Sequence, residues 1–308
     1  MRSGAASIGE CMLELSARTD GGWSLGHAGD SFNVAWALRA LLPEETPVDY
    51  VSAFGDDPFS AQQQAFFRDH GIGTASSPVV EGGRPGLYAI TLDGAERSFT
   101  YWRGDSAARQ LASDPARLEE SLRHQGLVYF SGITLAILEP AARETLLQAI
   151  GKARGDGARI AFDPNYRPRL WREPDEARVA VTHALSVCDI ALPTFPDEKA
   201  LFGDSEPAAT AARITAAGVP EIVVKDGADP ALLVDDGVNT EVASVHVATP
   251  VDTTGAGDSF NGGYLAARLI GHGPAAAARK GHQVAAAVVQ VRGALAPFET
   301  IRTAFGAG

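Results

Sequence analysis

Asp252-Thr253-Thr254-Gly255-Ala256-Gly257-Asp258-Ser259-Phe260-Asn261-Gly262-Gly263-Tyr264 carries the strongest local signal in the chain. It is a turn rich in Thr and Gly that opens directly onto a helical pattern over residues 260–270. Glycines allow close backbone approach, and the first amides of a helix have no intrahelical acceptor. Amides at the positive end of a helix dipole make an anion site suited to phosphate. Asp258 falls at the first turn of that helix, and two roles are open to it. It can cap the helix, or it can take a proton from an attacking hydroxyl during phosphoryl transfer. The stretch is no Walker A loop, because no Gly-Lys-Ser/Thr follows the glycines. Nor is it a dinucleotide fingerprint, which belongs after an early strand.

Upstream of this stretch, short β-rich runs alternate with helix-patterned segments. Leu127-Val128-Tyr129-Phe130 precedes a helical pattern over 139–153, and Arg159-Ile160-Ala161-Phe162 precedes one over 175–186. Asp189-Ile190-Ala191-Leu192, a helix over 208–217 and Glu221-Ile222-Val223-Val224 follow. Strands that are apolar throughout, repeated in βα order, predict an α/β fold whose mainly parallel sheet is covered on both faces. The Ala-rich stretch 275–291 reads as a tightly packed helix. Two segments break the alternation. Residues 13–29 are polar, Gly-rich and helix-poor, while residues 85–103 carry Tyr88, Ile90, Phe99 and Tyr101 around a turn at Asp93-Gly94 and read as a hairpin. Both predict a small antiparallel sheet beside the main one, from about 12–30 and 84–104, within a single domain spanning 1–308.

Composition narrows the function classes. Hydrophobic residues make up 45% of the 308 and charged residues 21%, which suits a large soluble core. A formal charge of −12 lacks the footprint of a nucleic-acid binder or of a protein held on anionic lipid. Two cysteines, Cys11 and Cys188, do not make a disulfide framework or a zinc site. The N-terminus shows no signal-peptide core and no apolar run is long enough to span a bilayer, so a cytoplasmic location is expected.

Asp252–Asp258 resembles the Asp-Thr-x-Gly-Ala-Gly-Asp signature of the ribokinase-like (PfkB) carbohydrate kinases. Ala28-Gly29-Asp30-Ser31-Phe32-Asn33 resembles that family's early Gly-Gly-x-x-x-Asn sugar motif, with Ala28 in place of the first glycine. The resemblance covers essentially the whole chain. It implies the ribokinase-like three-layer fold with a β lid built from the two irregular segments. It also implies ATP as phosphoryl donor and Mg²⁺ on its phosphates, with a monovalent cation as a further option. The open edges and apolar face of a small lid sheet point to a homodimer or larger assembly through the lid.

Three further segments resemble the family members that phosphorylate 2-keto-3-deoxygluconate. They are Ile8-Gly9-Glu10-Cys11-Met12-Leu13-Glu14-Leu15, Arg97-Ser98-Phe99-Thr100-Tyr101-Trp102-Arg103 and Asp163-Pro164-Asn165-Tyr166-Arg167-Pro168-Arg169-Leu170-Trp171. A sugar acid calls for an arginine fork, aromatic hydroxyls and short polar side chains. Arg103 and Arg167 are the candidates for the carboxylate, Tyr88 and Tyr101 for hydroxyls, and Gly29, Asp30, Asn33 and Asn165 for the rest. Tyr88 also reads as a strand residue holding the hairpin, Arg97 and Arg169 as surface charges, and Trp102 and Trp171 as packing. On the nucleotide side, the resemblance implies Lys225 and Gly227 near the phosphates with Gly255, Ala256 and Gly257 holding them. Pro230 stands where many relatives have a glycine. His282 reads either as a flank for adenine or as a packed core residue. The metal ligands stay open, because Thr194-Phe195-Pro196-Asp197-Glu198 lacks the Asn of the family's Asn-x-x-Glu motif. The rivals are a fructokinase, a nucleoside kinase and an inactive sugar-acid-binding regulator.

Overall fold

Proline opens helix after helix in this chain: Pro58, Pro115, Pro140, Pro174, Pro207 and Pro274 each occupy a first helical position. There the missing N–H costs nothing and the fixed φ suits the helix. The computed structural model describes residues 4–18, 20–93 and 96–306. Its strands are β1 (Gly4–Ile8), β2 (Met12–Ala17), β3 (Trp23–Ala28), β4 (Val48–Val51), β5 (Phe54–Gly55), β6 (Val79–Val80), β7 (Leu87–Asp93), β8 (Glu96–Trp102), β9 (Gln125–Ser131), β10 (Arg159–Asp163), β11 (Ile190–Ala191), β12 (Glu221–Val224), β13 (Ala231–Asp235) and β14 (Val238–Val242). The helices are α1 (Asp30–Leu41), α2 (Pro58–Asp69), α3 (Pro115–Leu122), α4 (Gly132–Ile137), α5 (Pro140–Gly155), α6 (Pro174–Ser186), α7 (Phe195–Phe202), α8 (Pro207–Ala216), α9 (Ala256–Leu269), α10 (Pro274–Val288) and α11 (Phe298–Phe305).

The main sheet runs β14-β13-β12-β11-β10-β9-β1-β4. From β4 to β12 all pairings are parallel, and β13 and β14 add an antiparallel edge. Strand periodicity divides the apolar residues between two cores. Val128, Phe130, Ile160 and Phe162 face α3–α8, while Leu127, Tyr129 and Ala161 face α1, α2 and α9–α11. This is the expected three-layer arrangement. The Ala-rich stretch is indeed a close-packed helix: a Cβ on Gly263 would lie 3.0 Å from Val284, and one on Gly281 would lie 2.9 Å from Phe260.

The smaller sheet has the order β3-β2-β7-β8. It consists of two antiparallel hairpins joined by a parallel β2–β7 pairing. Residue Gly94 of the expected turn lies outside the described residues, as do the side chain of Arg97 and its expected surface role. Met12, Ala28 and Tyr88 cluster within the lid, whereas Trp23, Leu25, Tyr101 and Trp102 are half exposed. The packing expectation for Trp102 is therefore corrected, since 56% of it is open to solvent. It ends β8, the edge strand of this sheet, where neighbours exist on one side only. Trp171 is buried, with the Arg143 guanidinium 4.8 Å above its ring. Arg169 is exposed, as expected.

Candidate active site

Asn165 and Lys225 follow the carboxyl ends of β10 and β12, where open α/β sheets leave a crevice for ligands, whereas Tyr88 and Tyr101 lie on the smaller sheet and His282 on α10. Helix α9 starts at Ala256, four residues earlier than its apolar pattern suggests, with Gly255 as N-cap in the left-handed region at φ +74°. A Cβ there would also lie 2.7 Å from Ala294, so the turn needs glycine on both counts. The Asp252 carboxylate straps the turn, accepting from the amides of Thr254 at 3.0 Å and Gly293 at 2.8 Å. Ala256's amide closes back on the Thr253 carbonyl at 3.3 Å. Gly257, exposed at the head of the helix, is consequently the better-presented donor of the three.

Asp258 is not a cap; the cap position belongs to Gly255 and no side chain bonds there. Its Oδ2 instead accepts a hydrogen bond of 2.7 Å from Asn33 Nδ2, joining the two motifs across 225 residues of sequence. Withdrawal from water, then the charges of Asp30 and Asp163, push the Asp258 carboxyl up to about 7, against the opposing effects of Asn33 and Lys225. Asp30 is also raised, first by burial; hydrogen bonds from Ser131, its neighbour's amide and Asn165 pull the other way. Asn165 Nδ2 donates to Asp30 Oδ2 at 2.9 Å. Asn165 itself sits at φ +35°, a backbone region costly for most side-chain-bearing residues, with its amide tied to Asp163 Oδ1 at 3.0 Å. Gly29 is the N-cap of α1, and a Cβ there would lie 2.2 Å from the Glu10 carbonyl oxygen.

Lys225 does not reach out from its turn. It is buried, and its Nζ donates to Asp163 Oδ2 at 2.7 Å and to Asn261 Oδ1 at 2.9 Å. Sequence reasoning quoted Asn261 without assigning it a role, although its place three residues after Asp258 on one helix was visible. Gly227 follows at φ +59° on the exposed turn. His282 is buried edge-on against Phe260 at 4.9 Å, with Nε2 lacking a hydrogen-bond partner among the described residues. Burial lowers its pKa, opposed by a hydrogen bond with the Val242 backbone.

The two arginines differ. Arg103 is mostly buried and hydrogen-bonded to Glu10, itself almost wholly enclosed; Glu10 Oε1 and Arg103 Nε have no partner among the described residues. Arg167 is half exposed, donating to Asp197 Oδ2 and to the Tyr166 carbonyl. Tyr88 is buried and donates to Glu14, whose charge adds to burial in raising the phenol's pKa. Tyr101, paired directly across the lid from Tyr88, is 50% exposed. Tyr88 is thus a strand residue of the smaller sheet, packed with Met12 and Ala28. Glu10 and Glu14 carry no role in the sequence reading; their partners lie 93 and 74 residues away.

For a metal, the chemistry of the donors decides. Among the described residues no group of three or more His, Cys, Asp or Glu is placed to hold an ion. Glu198 is sealed in an ion pair with Arg213, while Asp197 keeps partial exposure at the site's edge. This donor set fits an ion that brings most of its ligands with it, as magnesium does on phosphates.

A model of the pfkB family of carbohydrate kinases matches residues 3–301. A 2-dehydro-3-deoxygluconokinase from Dickeya dadantii is 40% identical over 303 residues, covering 96% of this chain and 97% of its own. A fructokinase from Vibrio alginolyticus is 28% identical over 261 residues, 84% of this chain and 81% of its own. The fold matches that of aminoimidazole riboside kinase from Salmonella enterica, solved with aminoimidazole riboside and an ATP analog. That match has a TM-score of 0.83 at 22% identity, over 99% of this chain and all of the other. With that family model matching nearly the whole length and a relative 40% identical across it, this chain belongs to the pfkB family of carbohydrate kinases.

Proposed function

We propose that this chain transfers the γ-phosphoryl group of ATP to the terminal hydroxyl of 2-keto-3-deoxygluconate, acting as one kinase domain over residues 1–308. The observation that carries the reaction class is Asp258. A carboxyl raised towards neutrality stands beside Asn33 of the sugar motif, in the first turn of α9 just after the Gly255 cap. The sugar acid is supported by the 40% relative and by Arg167, whose guanidinium is half exposed. The fructokinase reading rests on a relative at 28%.

In this mechanism Asp258 accepts the proton of the terminal hydroxyl as its oxygen attacks the γ-phosphorus. The bond to the ADP oxygen breaks in line, and ADP leaves with that electron pair. Gly257's amide and the positive end of α9 hold charge on the group in transit, an effect of ~3–4 kcal/mol per donor in other enzymes. Asp30 and Asn165 hold each other in register for the sugar hydroxyls. Magnesium bound to the triphosphate would neutralise its charge, with Asp197, partly exposed and paired with Arg167, as the candidate carboxylate for it. His282 Nε2 offers a buried polar atom for adenine.

A coupled ADP-release assay over 2-keto-3-deoxygluconate, its galacto epimer, fructose and nucleosides tests the reading. Release strictly dependent on the sugar acid is expected; equal or greater turnover with fructose would overturn the substrate, and sugar-independent release would overturn the kinase.

Arg167→Ala is expected to raise KM for the sugar acid by about 10–100-fold, the value of a charge-assisted hydrogen bond, with KM for ATP changed little. Equal effects on both would show that the carboxylate is held elsewhere. The half-exposed lid residues Trp23, Leu25 and Tyr101 are best covered by a second copy. Sedimentation should show a dimer at micromolar concentration, and Leu25→Glu should return it to the monomer; a wild-type monomer would sink this assignment.

A further inference from the structure

The cation buried beneath the phosphate turn has an unusual holder. Lys225 ends β12 and turns its ammonium inward, where two of its three N–H groups are spent on Asp163 Oδ2 and Asn261 Oδ1. No further protein acceptor is found for the third among the described residues. Nζ stands 3.7 Å from the point a Cβ on Gly257 would occupy, so the charge lies directly against the residue that presents the amide.

Asn261 is fully buried one turn further along α9. Its Nδ2 donates to Asp163 Oδ2 at 2.7 Å and faces the Tyr129 hydroxyl at 3.3 Å, while its Oδ1 accepts from Lys225. A carboxamide can donate to an anion and accept from a cation at once. Aspartate in its place would repel Asp163, and leucine would take from each charge the partner that Asn261 supplies. A buried ion pair fixes geometry only when its remaining valences are met, and Asn261 meets one on each side.

We propose that Asn261 is a positioning residue: it fixes the Lys225 ammonium under the Gly255–Gly257 turn so that the third N–H takes up charge on the phosphoryl group in transit. The inference rests on the reading of that turn as the phosphate site. Under it, one helix carries the base, the amide donors and, one turn later, the side chain that aims the cation. A charge held in advance needs no reorganisation when the transition state forms.

A double-mutant cycle on kcat tests this, with the acceptor that the wild-type panel identifies. Lys225→Met should lower kcat by about 10²–10³-fold, the range seen for losing one preorganised charge partner, with the acceptor KM within about threefold. Asn261→Leu should lower kcat at least about tenfold on the same grounds, and Asn261→Ser, which keeps a group that both donates and accepts, should recover part of it. The deciding result is the double variant, expected to be no slower than Lys225→Met alone, because Asn261 acts only through the lysine. Multiplying effects, or wild-type kcat in Asn261→Leu, would overturn the proposal; if that variant does not fold, Asn261→Ser carries the same comparison. Should Lys225→Met keep full kcat while Asp258→Asn loses it, this inference fails and the phosphate turn stands. Should both keep it, the reading of the turn itself fails.

Discussion

Asp258→Asn is expected to lower kcat by about 10²–10⁴-fold, the usual contribution of a positioned general base. The substitution keeps the shape and the acceptor that Asn33 Nδ2 uses at 2.7 Å, so the sugar motif and the head of α9 stay joined. It removes only the ability to take a proton. Stability should hold, because the change also relieves repulsion between Asp258, Asp30 and Asp163. ATP affinity measured by calorimetry should be near that of the parent. The pH profile offers an independent reading of the same group. The folded carboxyl titrates at about 7, so below that pH it is protonated and cannot serve as base. In the parent enzyme kcat/KM should fall about tenfold per unit of acidification below this value and level off above it. The residual activity of Asp258→Asn should lose that acid limb. Turnover within tenfold of the parent, or an acid limb that survives the substitution, would remove Asp258 from the role of base.

Gly29→Ala should be the most damaging single-methyl change in the sugar site. The new Cβ would lie 2.2 Å from the Glu10 carbonyl oxygen and 3.2 Å from Cys11 Cα, both backbone atoms that cannot swing aside. The dihedral is not at issue, since φ of 176° is extended and open to any residue. Either α1 or the β1–β2 crossing must move, at a cost of about 1–3 kcal/mol, as for other overpacked sites. Asp30 and Asn33 ride on the first turn of α1, so the displacement reaches the hydroxyl contacts directly. KM for the sugar acid should rise at least about tenfold, since a misplacement of the order of an ångström costs that much or more. Thermal unfolding together with kinetics checks this. Unchanged KM and Tm would show that the crossing yields freely.

Both cases show which parts of the site were legible and why. The head of α9 is local: Gly255, Gly257 and Asp258 lie within four positions, and a turn that frees amides for an anion can be read from residue types alone. The four residues from Asp30 to Asn33 are local in the same way. Gly29 was read as a sugar-motif glycine, yet its requirement is the carbonyl of Glu10, a neighbour supplied by the lid crossing. Arg103 was read as a fork held ready for a carboxylate, but the folded chain already gives it one in Glu10. Lys225 was placed near the phosphates by its strand and turn, while the partners that bury it, Asp163 and Asn261, stand 62 and 36 residues away.

The amino-acid sequence by itself determined the alternation of apolar strands and Pro-started helices, the Thr- and Gly-rich turn, the acid that follows it and the family. These depend on periodicity and on dihedral or hydrogen-bonding demands within a few residues. Only the tertiary structure decided that Asn33 meets Asp258, that Glu10 claims Arg103, and that a buried amide holds the lysine beneath the turn. Those pairings arise where strand ends and helix starts converge, and a charge's partner there is chosen by proximity in space, which no local pattern encodes.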